Sequence, residues 1–304
     1  MFHCLFLSSL FFLLGTASAA SNNPNLQWLT TYDFSPNVTH GWQNLVSGDG
    51  ATLDDMIQAY KEYGMNAMPQ VPKTIWDLGN HGLAVDWEAQ TEAFVAELAP
   101  YIKSGMVAGI FLGDELCTAR PRLAFSNFTL VLDKLRGLIG PRDATTQTPF
   151  LYSNENAQMR DWAMVPASLD YISIDRYNTP NTNGTAEVVS VHEYYTGTLY
   201  PKLHPHQAAF LVPGIYANDP YNCEKGNVSC PVKDQEAQVV IKLEEYFKWA
   251  QEDEKIVGFN PWHFNDRNAS QYIGVPYDYR LGAVSMPTVV DKLKEIGTFI
   301  INNN

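Results

Sequence analysis

Two carboxylates that could exchange protons with a substrate stand side by side in the segment GIFLGDEL, at Asp114 and Glu115. They follow an apolar run and a glycine, so Glu115 would project from a dry wall. Burial against apolar residues raises the pKa of a carboxyl group and lets it donate a proton near neutral pH. Glu115 is therefore the first candidate for a general acid. The alternative is a structural carboxylate paired with Arg120 or Arg122.

A proton donor of this kind suits the cleavage of a glycosidic bond. That reaction also needs a second group that attacks the anomeric carbon, activates water, or holds an attacking group of the substrate. The candidates are Asp114, Glu155 in YSNEN and Asp175 in YISIDRY. Neighbours on a strand point to opposite faces, so Asp114 and Glu115 both reach a substrate only where the strand ends or kinks between them.

The elements that must position these residues alternate between short apolar runs and amphipathic helical stretches, which is typical of parallel α/β architecture. We predict a single-domain (β/α)8 TIM barrel over residues 20–304. An eighth strand lies either within residues 76–85 or in LGAVSM before the last helix. The other seven predicted strands are 26–32, 65–71, 107–113, 149–154, 171–175, 208–214 and 256–262.

Polar and aromatic residues recur where these predicted strands end, and the carboxyl ends of barrel strands are where enzymes of this architecture place their sites. A single acidic residue at such a position can also be a helix N-cap. The indication of a site is therefore that polar and aromatic residues recur at nearly every strand end. Trp262 is the first candidate for stacking on a sugar ring. The other predicted substrate-binding residues are Tyr32, Tyr177, Tyr216, Asn154 and Asn265.

GIFLGDE, together with the terminal strand that contains Trp262, resembles the barrel glycoside hydrolases, and its Asp-Glu pair is similar to the GGDE segment of family-20 β-hexosaminidases. The resemblance implies that Glu115 is the acid and that Asp114 orients a 2-acetamido group of the substrate as internal nucleophile. YISIDRY loosely resembles the sixth-strand segment of family-18 chitinases, which implies that Asp175 and Tyr177 line the cleft. An N-acetylhexosamine-containing glycan is the substrate that follows from this resemblance.

Residues 1–19 have the pattern of a secretory signal peptide, an apolar run followed by the small-x-small motif Ala17-Ser18-Ala19. We therefore expect a secreted glycoprotein, with the lysosome and the cell surface as alternative destinations. Cys223 and Cys230 bracket a short polar loop and are predicted to form a disulfide. The predicted glycosylation sites are the Asn-x-Ser/Thr sequons at Asn37, Asn127, Asn183, Asn227 and Asn268.

Net charge, the length of apolar stretches and the spacing of histidines limit which partners and cofactors are expected. A net charge of −13 without a basic patch argues against nucleic acid, and no later stretch is long and apolar enough for an integral membrane span. The histidines do not cluster at ligand spacing, so neither a metal nor another cofactor is expected. Two alternatives to a glycosidase stay open: a catalytically silent barrel that binds glycans as a lectin does, and a metal-dependent barrel hydrolase of another bond.

Overall fold

The computed structural model describes residues 23–33, 35–47, 51–118, 122–142, 147–176, 184–217, 232–268 and 279–304. Eight parallel strands form its centre. In chain order they are β1 (Trp28–Leu29), β2 (Leu45–Ser47), β3 (Asn66–Met68), β4 (Gly109–Asp114), β5 (Phe150–Asn156), β6 (Tyr171–Asp175), β7 (Ala208–Leu211) and β8 (Ile256–Phe259).

The strands follow one another around a ring. Six of them pair in the order β1, β8, β7, β6, β5, β4, and β2 pairs with β3. Parallel bridges from Ala67 to Val107 and from Gln70 to Phe111 join β3 to β4. The backbone N–H of Asn44 donates to the Leu29 carbonyl at 3.2 Å and links β2 to β1. The predicted α/β fold with parallel strands is confirmed, and the order of the strands agrees with the predicted (β/α)8 barrel.

The eighth strand is β2, and both positions predicted for it are wrong. Within residues 76–85, Trp76–Asp77 and Gly82–Leu83 form a small antiparallel hairpin instead, and Ala283–Ser285 is a 3-10 helix. The segment LVS contains only three residues, which is too short to show a periodic pattern. Its position depends on the Asn44 side chain, which accepts from the Leu29 N–H at 2.9 Å, and no strand pattern encodes that contact.

Helices alternate with the strands, as the sequence predicts. The second of them begins with a capping box, in which Thr52 and Asp55 bond each other's backbone N–H groups. The helices are α1 (Pro36–Thr39), α2 (Leu53–Tyr63), α3 (Trp87–Lys103), α4 (Phe125–Ile139), α5 (Gly184–Tyr194), α6 (Val232–Glu252) and α7 (Pro287–Asn302). No helix among the described residues is long and apolar enough to cross a membrane.

Two apolar layers hold the barrel together. The larger layer packs the helices against the outside of the strands. The smaller layer fills the lower barrel interior, where the rings of Phe150, Tyr171 and Phe210 contact one another and Tyr152 packs against both Phe210 and Phe111. This closed interior leaves the carboxyl ends of the strands, hereafter the barrel mouth, as the place where polar side chains can converge.

Candidate active site

The end of β4 contains the bulge that the paired carboxylates require. Its pairing with β5 shifts between Phe111 and Asp114, and Gly113 has a φ of 150°. A Cβ on Gly113 would lie 2.9 Å from the Leu116 side chain, so glycine is needed here. The bulge interrupts the alternation of side chains and turns the exposed Asp114 carboxylate toward the interior face of β5, where it bonds Asn154. The interruption of the strand that both carboxylates need in order to reach a substrate is therefore present.

A chain of buried hydrogen bonds fixes Asp114. The Asn154 Nδ2 group donates to Asp114 Oδ1 at 2.7 Å, and Asn154 Oδ1 accepts from Ser173 Oγ at 2.5 Å. Ser173 Oγ is 2.6 Å from the Tyr152 hydroxyl, which accepts from Asn260 Nδ2 at 3.2 Å. All four supporting side chains are fully buried. The network extends from β8 across β6 and β5 to the carboxylate on β4, which limits its motion.

Glu115 has the environment of a proton donor. It is half-buried, it has a left-handed backbone conformation with a φ of 51°, and its N–H donates to the Asn154 carbonyl at 2.7 Å. Such a conformation is unusual for a residue other than glycine and is often found at functional sites. Burial and the charge of Asp114 raise the pKa of Glu115, and a hydrogen bond with the Asn156 side chain partly opposes that rise. The net result favours a protonated carboxyl group.

Glu155 lies on the opposite face of β5 from Asn154 and is fully buried. Its Oε2 accepts from Thr118 Oγ1 at 2.8 Å and from the Cys117 N–H at 3.3 Å, and its Oε1 accepts from Ser153 Oγ at 3.0 Å. The prediction that Glu155 attacks a substrate does not fit this geometry, because its carboxyl group is fully buried and bonded to Thr118 and to the Cys117 N–H in the turn after β4. Its contacts fix the turn that follows Glu115.

Replacing Glu155 with glutamine should change how stability depends on pH. Burial raises the pKa of Glu155 to about 8 in the folded protein, whereas an unfolded chain releases the proton at an ordinary pKa of about 4.3. Protonated Glu155 therefore makes its full contribution to the stability of the folded protein below the unfolded pKa, and this contribution is lost as pH rises through the folded pKa. In urea denaturation, we expect wild type to lose more unfolding free energy than Glu155→Gln between about pH 5 and about pH 8.5. Equal losses would contradict this role.

Asp175 ends β6 and shares the barrel mouth with Asp114. Burial raises the pKa of the Tyr32 and Tyr152 hydroxyls, and the charges of both carboxylates raise it further, so the two carboxylates lie close to the same phenols. Asp175 is half-buried. The structure thus brings Asp114, Glu115 and Asp175 together. The predicted cleft residue Tyr177 lies outside the described residues.

Of the predicted aromatic residues in the described part of the chain, only Trp262 keeps a partly exposed side chain. It is half-buried just after β8. Tyr216 packs edge to face under it at 5.0 Å between ring centroids, and the Arg280 guanidinium lies 5.1 Å from the Trp262 ring. Tyr216 and Tyr32 are only 4% and 3% exposed. Neither ring therefore offers an open face for stacking on a sugar.

A buried ion pair supports the position of Trp262. Lys242 Nζ lies 3.0 Å from Glu187 Oε2 and donates to the Gly214 carbonyl at 3.0 Å. Gly214 in turn pairs with Trp262 in a parallel bridge. The ion pair between α5 and α6 is thereby linked, through the backbone that follows β7, to the residue whose ring lies at the barrel mouth.

Replacing Lys242 with methionine should lower the free energy of unfolding by about 3–5 kcal/mol, because the Glu187 carboxylate would stay buried without its cation. The double variant with Glu187→Gln should lose less. Lys248→Met, at an exposed site on the same helix, should change it by less than about 0.5 kcal/mol. Denaturant titration measures all three variants, and equal effects of Lys242→Met and Lys248→Met would refute a stabilising pair.

Asn265 connects two loops rather than facing a cleft. Its backbone N–H and that of Phe264 donate to Asp33 Oδ2 at 2.8 and 2.7 Å, and its side-chain Nδ2 donates to Ser35 Oγ at 3.0 Å. These bonds tie the residues after β1 to those after β8. The predicted sugar contact by Asn265 would have to compete with the bond to Ser35.

Sequence reasoning missed three members of the network that fixes Asp114, namely Tyr152, Ser173 and Asn260. A signal was present, because polar side chains recur at every second residue of two neighbouring strands. On β5 these positions are Tyr152, Asn154 and Asn156, and on β6 they are Tyr171, Ser173 and Asp175. Such a stripe indicates an inward-facing polar surface.

The remaining predicted features have mixed outcomes. Asn37 is exposed, whereas the Asn127 amide donates to the His81 carbonyl at 3.1 Å. Residues 1–19, Asn183, Asn227, Cys223, Cys230 and the side chain of Asn268 lie outside the described residues. Within the described ranges, no group of three or more His, Cys, Asp or Glu side chains could hold a metal ion.

The chain is similar in structure to glycoside hydrolases. A GH113 β-1,4-mannanase matches 91% of this chain and 98% of its own, with 12% identity and a TM-score of 0.52. A β-glucuronidase from Ruminococcus gnavus matches 89% of this chain with 13% identity and a TM-score of 0.57. A GH2 β-galacturonidase from Eisenbergiella tayi matches 83% of this chain with 11% identity and a TM-score of 0.54.

This chain spans about half the length of the glucuronidase, 49%, and 45% of the galacturonidase. No protein-family model and no curated protein matches the sequence. At these identities the likeness establishes the fold, a barrel of the type found in those enzymes. The chemistry of this chain depends on the residues at its barrel mouth.

Proposed function

We propose that this protein is a secreted glycoside hydrolase that cleaves O-glycosidic bonds of an oligo- or polysaccharide, with Glu115 as the proton donor. The observation that supports this proposal most strongly is the bulge at the end of β4. It turns Asp114 and Glu115 toward the same barrel mouth, where Glu115 is half-buried beside a negative charge. A carboxyl group whose pKa is raised in this way suits the donation of a proton to a leaving oxygen.

In the reaction, the Glu115 proton passes to the glycosidic oxygen while the bond from that oxygen to the anomeric carbon breaks. The leaving sugar departs as an alcohol, and positive charge develops on the remaining ring. Asp114 and Asp175 are carboxylates of the same mouth and would stabilise that charge. Water then completes the hydrolysis, and its proton passes to the ionised Glu115 in the first route described below and to Asp175 in the second.

Two routes differ in the second group. In the first, Asp114 orients a 2-acetamido group of the substrate, whose oxygen attacks the anomeric carbon; this route requires an N-acetylhexosamine. In the second, Asp175 acts directly. One strand separates β4 from β6, so their axes stand about 10 Å apart. A retaining pair of carboxyl groups stands roughly 5–5.5 Å apart and an inverting pair roughly 6.5–9.5 Å, so the anomeric configuration of the product distinguishes direct attack by Asp175 from its activation of water.

Export belongs to the same proposal. It rests on the signal-peptide pattern of residues 1–19 and on the five sequons. The mature protein would be a glycoprotein in which residues 20–304 form the catalytic barrel, stabilised by the proposed Cys223–Cys230 disulfide. Its destination would be outside the cell, in the lysosome or at the cell surface.

A screen for hydrolysis separates this function from its alternatives. The purified protein is incubated with neutral, acidic and N-acetylated oligosaccharides at mildly acidic pH, with and without chelator, and the products are read by mass spectrometry. Cleavage that persists in chelator supports the proposal. Loss of activity in chelator favours a metal-dependent hydrolase, and retention of a glycan without cleavage favours a silent binding barrel.

A further inference from the structure

A cavity of about 870 Å³ opens on the rim of the barrel mouth, beside the ends of β4 and β5. Its walls come from the turn after β4, the start of α4 and the 3-10 helix Ala157–Asp161 that follows β5. We call it the rim cavity. Its wall residues include Cys117, Arg122, Phe125, Gln158, Asp161 and Trp162. Its volume falls in the range of small-molecule sites, roughly 300–1,000 Å³.

The walls of the rim cavity combine an aromatic surface with polar groups. The rings of Phe125 and Trp162 pack with centroids 4.8 Å apart, and Phe125 is 38% exposed. Arg122, Gln158 and Asp161 are exposed around them, and the two opposite charges balance. An aromatic face with surrounding hydrogen-bonding groups matches a neutral sugar, which has an apolar ring face and hydroxyl edges.

The rim cavity adjoins the proton donor through two connections. Cys117 in its wall stands two residues after Glu115, in the turn that Glu155 fixes. Gln158 donates its backbone N–H to Asn156 Oδ1 at 2.8 Å, and the Asn156 side chain bonds Glu115. Glu115 is therefore linked to the wall of the rim cavity through the chain at Cys117 and through the Asn156 side chain.

From this arrangement we infer that the rim cavity binds the sugar units on the leaving-group side of the cleaved bond. A general acid contacts the oxygen that leaves, so the departing sugar must lie against Glu115. The rim cavity, whose wall is linked to Glu115 through Cys117 and Asn156, offers a space for that sugar. The inference rests on the proposed glycosidase function and adds that the enzyme prefers oligosaccharides with several units beyond the cleaved bond.

Phe125→Ala tests the inference with two substrates of the same sugar. One is a hexasaccharide, tried as β-1,4-linked mannose and as β-1,4-linked N-acetylglucosamine; the other is the matching glycosyl fluoride, whose leaving group is a single atom. We expect kcat/KM for the hexasaccharide to fall about 10-fold and that for the fluoride to change less than about two-fold. Leu130→Ala, an exposed position on the same helix outside the cavity wall, is the control and should change neither.

The outcomes separate this inference from the proposed function. If wild type cleaves the hexasaccharide but Phe125→Ala is unchanged, or loses activity equally on both substrates, the rim cavity is not the leaving-group site while the glycosidase function stands. If wild type cleaves none of these substrates, nor any in the wider screen, the proposed function fails and this inference fails with it. A selective loss on the hexasaccharide, with a shift in the products formed, supports both.

Discussion

Replacing Glu115 with glutamine should lower kcat on an oligosaccharide by about 10²–10⁴-fold, the contribution usually made by a positioned general acid. Glutamine has nearly the same shape as glutamate but has no acidic proton to give to the leaving oxygen. The backbone bond from residue 115 to the Asn154 carbonyl does not involve the side chain and should persist. The loss is measured as initial rates at saturating substrate.

The Glu115→Gln result has two controls. Its thermal midpoint should match that of wild type within a few degrees, since the half-buried side chain makes few contacts that glutamine cannot keep. Glu155→Gln removes the neighbouring buried carboxyl group and should keep most of the activity, because that group faces away from the mouth. Loss of activity in Glu155→Gln, with Glu115→Gln unaffected, would reverse the assignment of the two residues.

Asp114→Asn should have the second largest effect and should also change the pH profile. A carboxylate that stabilises developing positive charge contributes about 10²–10³ in kcat. Its charge also raises the pKa of Glu115. A general acid works only while protonated, so activity is lost as pH rises through its pKa. Removing the charge should lower that pKa and move the alkaline limb of the kcat profile to lower pH.

Asp114→Asn keeps the contact that Asn154 makes, because the new amide oxygen can still accept from Asn154 Nδ2. Glu254→Gln is the matched charge change at the other end of the barrel, between α6 and β8, where Glu254 is exposed. It should leave both the rate and the pH profile unchanged. An Asp114→Asn profile with its alkaline limb in the wild-type position would contradict the electrostatic coupling of Asp114 to Glu115.

Much of the barrel could be predicted because its strands are apolar runs separated by long amphipathic helices. The β6 prediction, 171–175, matches the structure residue for residue, and β4 differs from its prediction only at its ends. The strand β2 could not be predicted, since a run of three residues has no period. Its place is set by Asn44 bonds to β1 and β3 that depend on the closed ring.

The site was predicted unevenly for a related reason. Asp114 and Glu115 stand out because adjacent acids after an apolar strand are unusual. The face that each strand residue occupies depends on bulges and register, which a single sequence leaves undetermined. Glu155 therefore looked equivalent to Asp175, yet one faces the helices and the other the mouth. Tyr216 and Trp262 both follow strands, and only the packed structure distinguishes the buried ring from the half-exposed one.

The most direct test of proton donation by Glu115 is the dependence of kcat/KM on the leaving group. Wild type and Glu115→Gln are compared on aryl glycosides whose phenols have pKa values from about 4 to about 10. We predict a shallow dependence for wild type and a steep fall for the variant as the phenol becomes less acidic, because a poor leaving group needs a proton. Parallel dependences in the two proteins would contradict the account, since Glu115 would then play no part in protonating the oxygen that leaves.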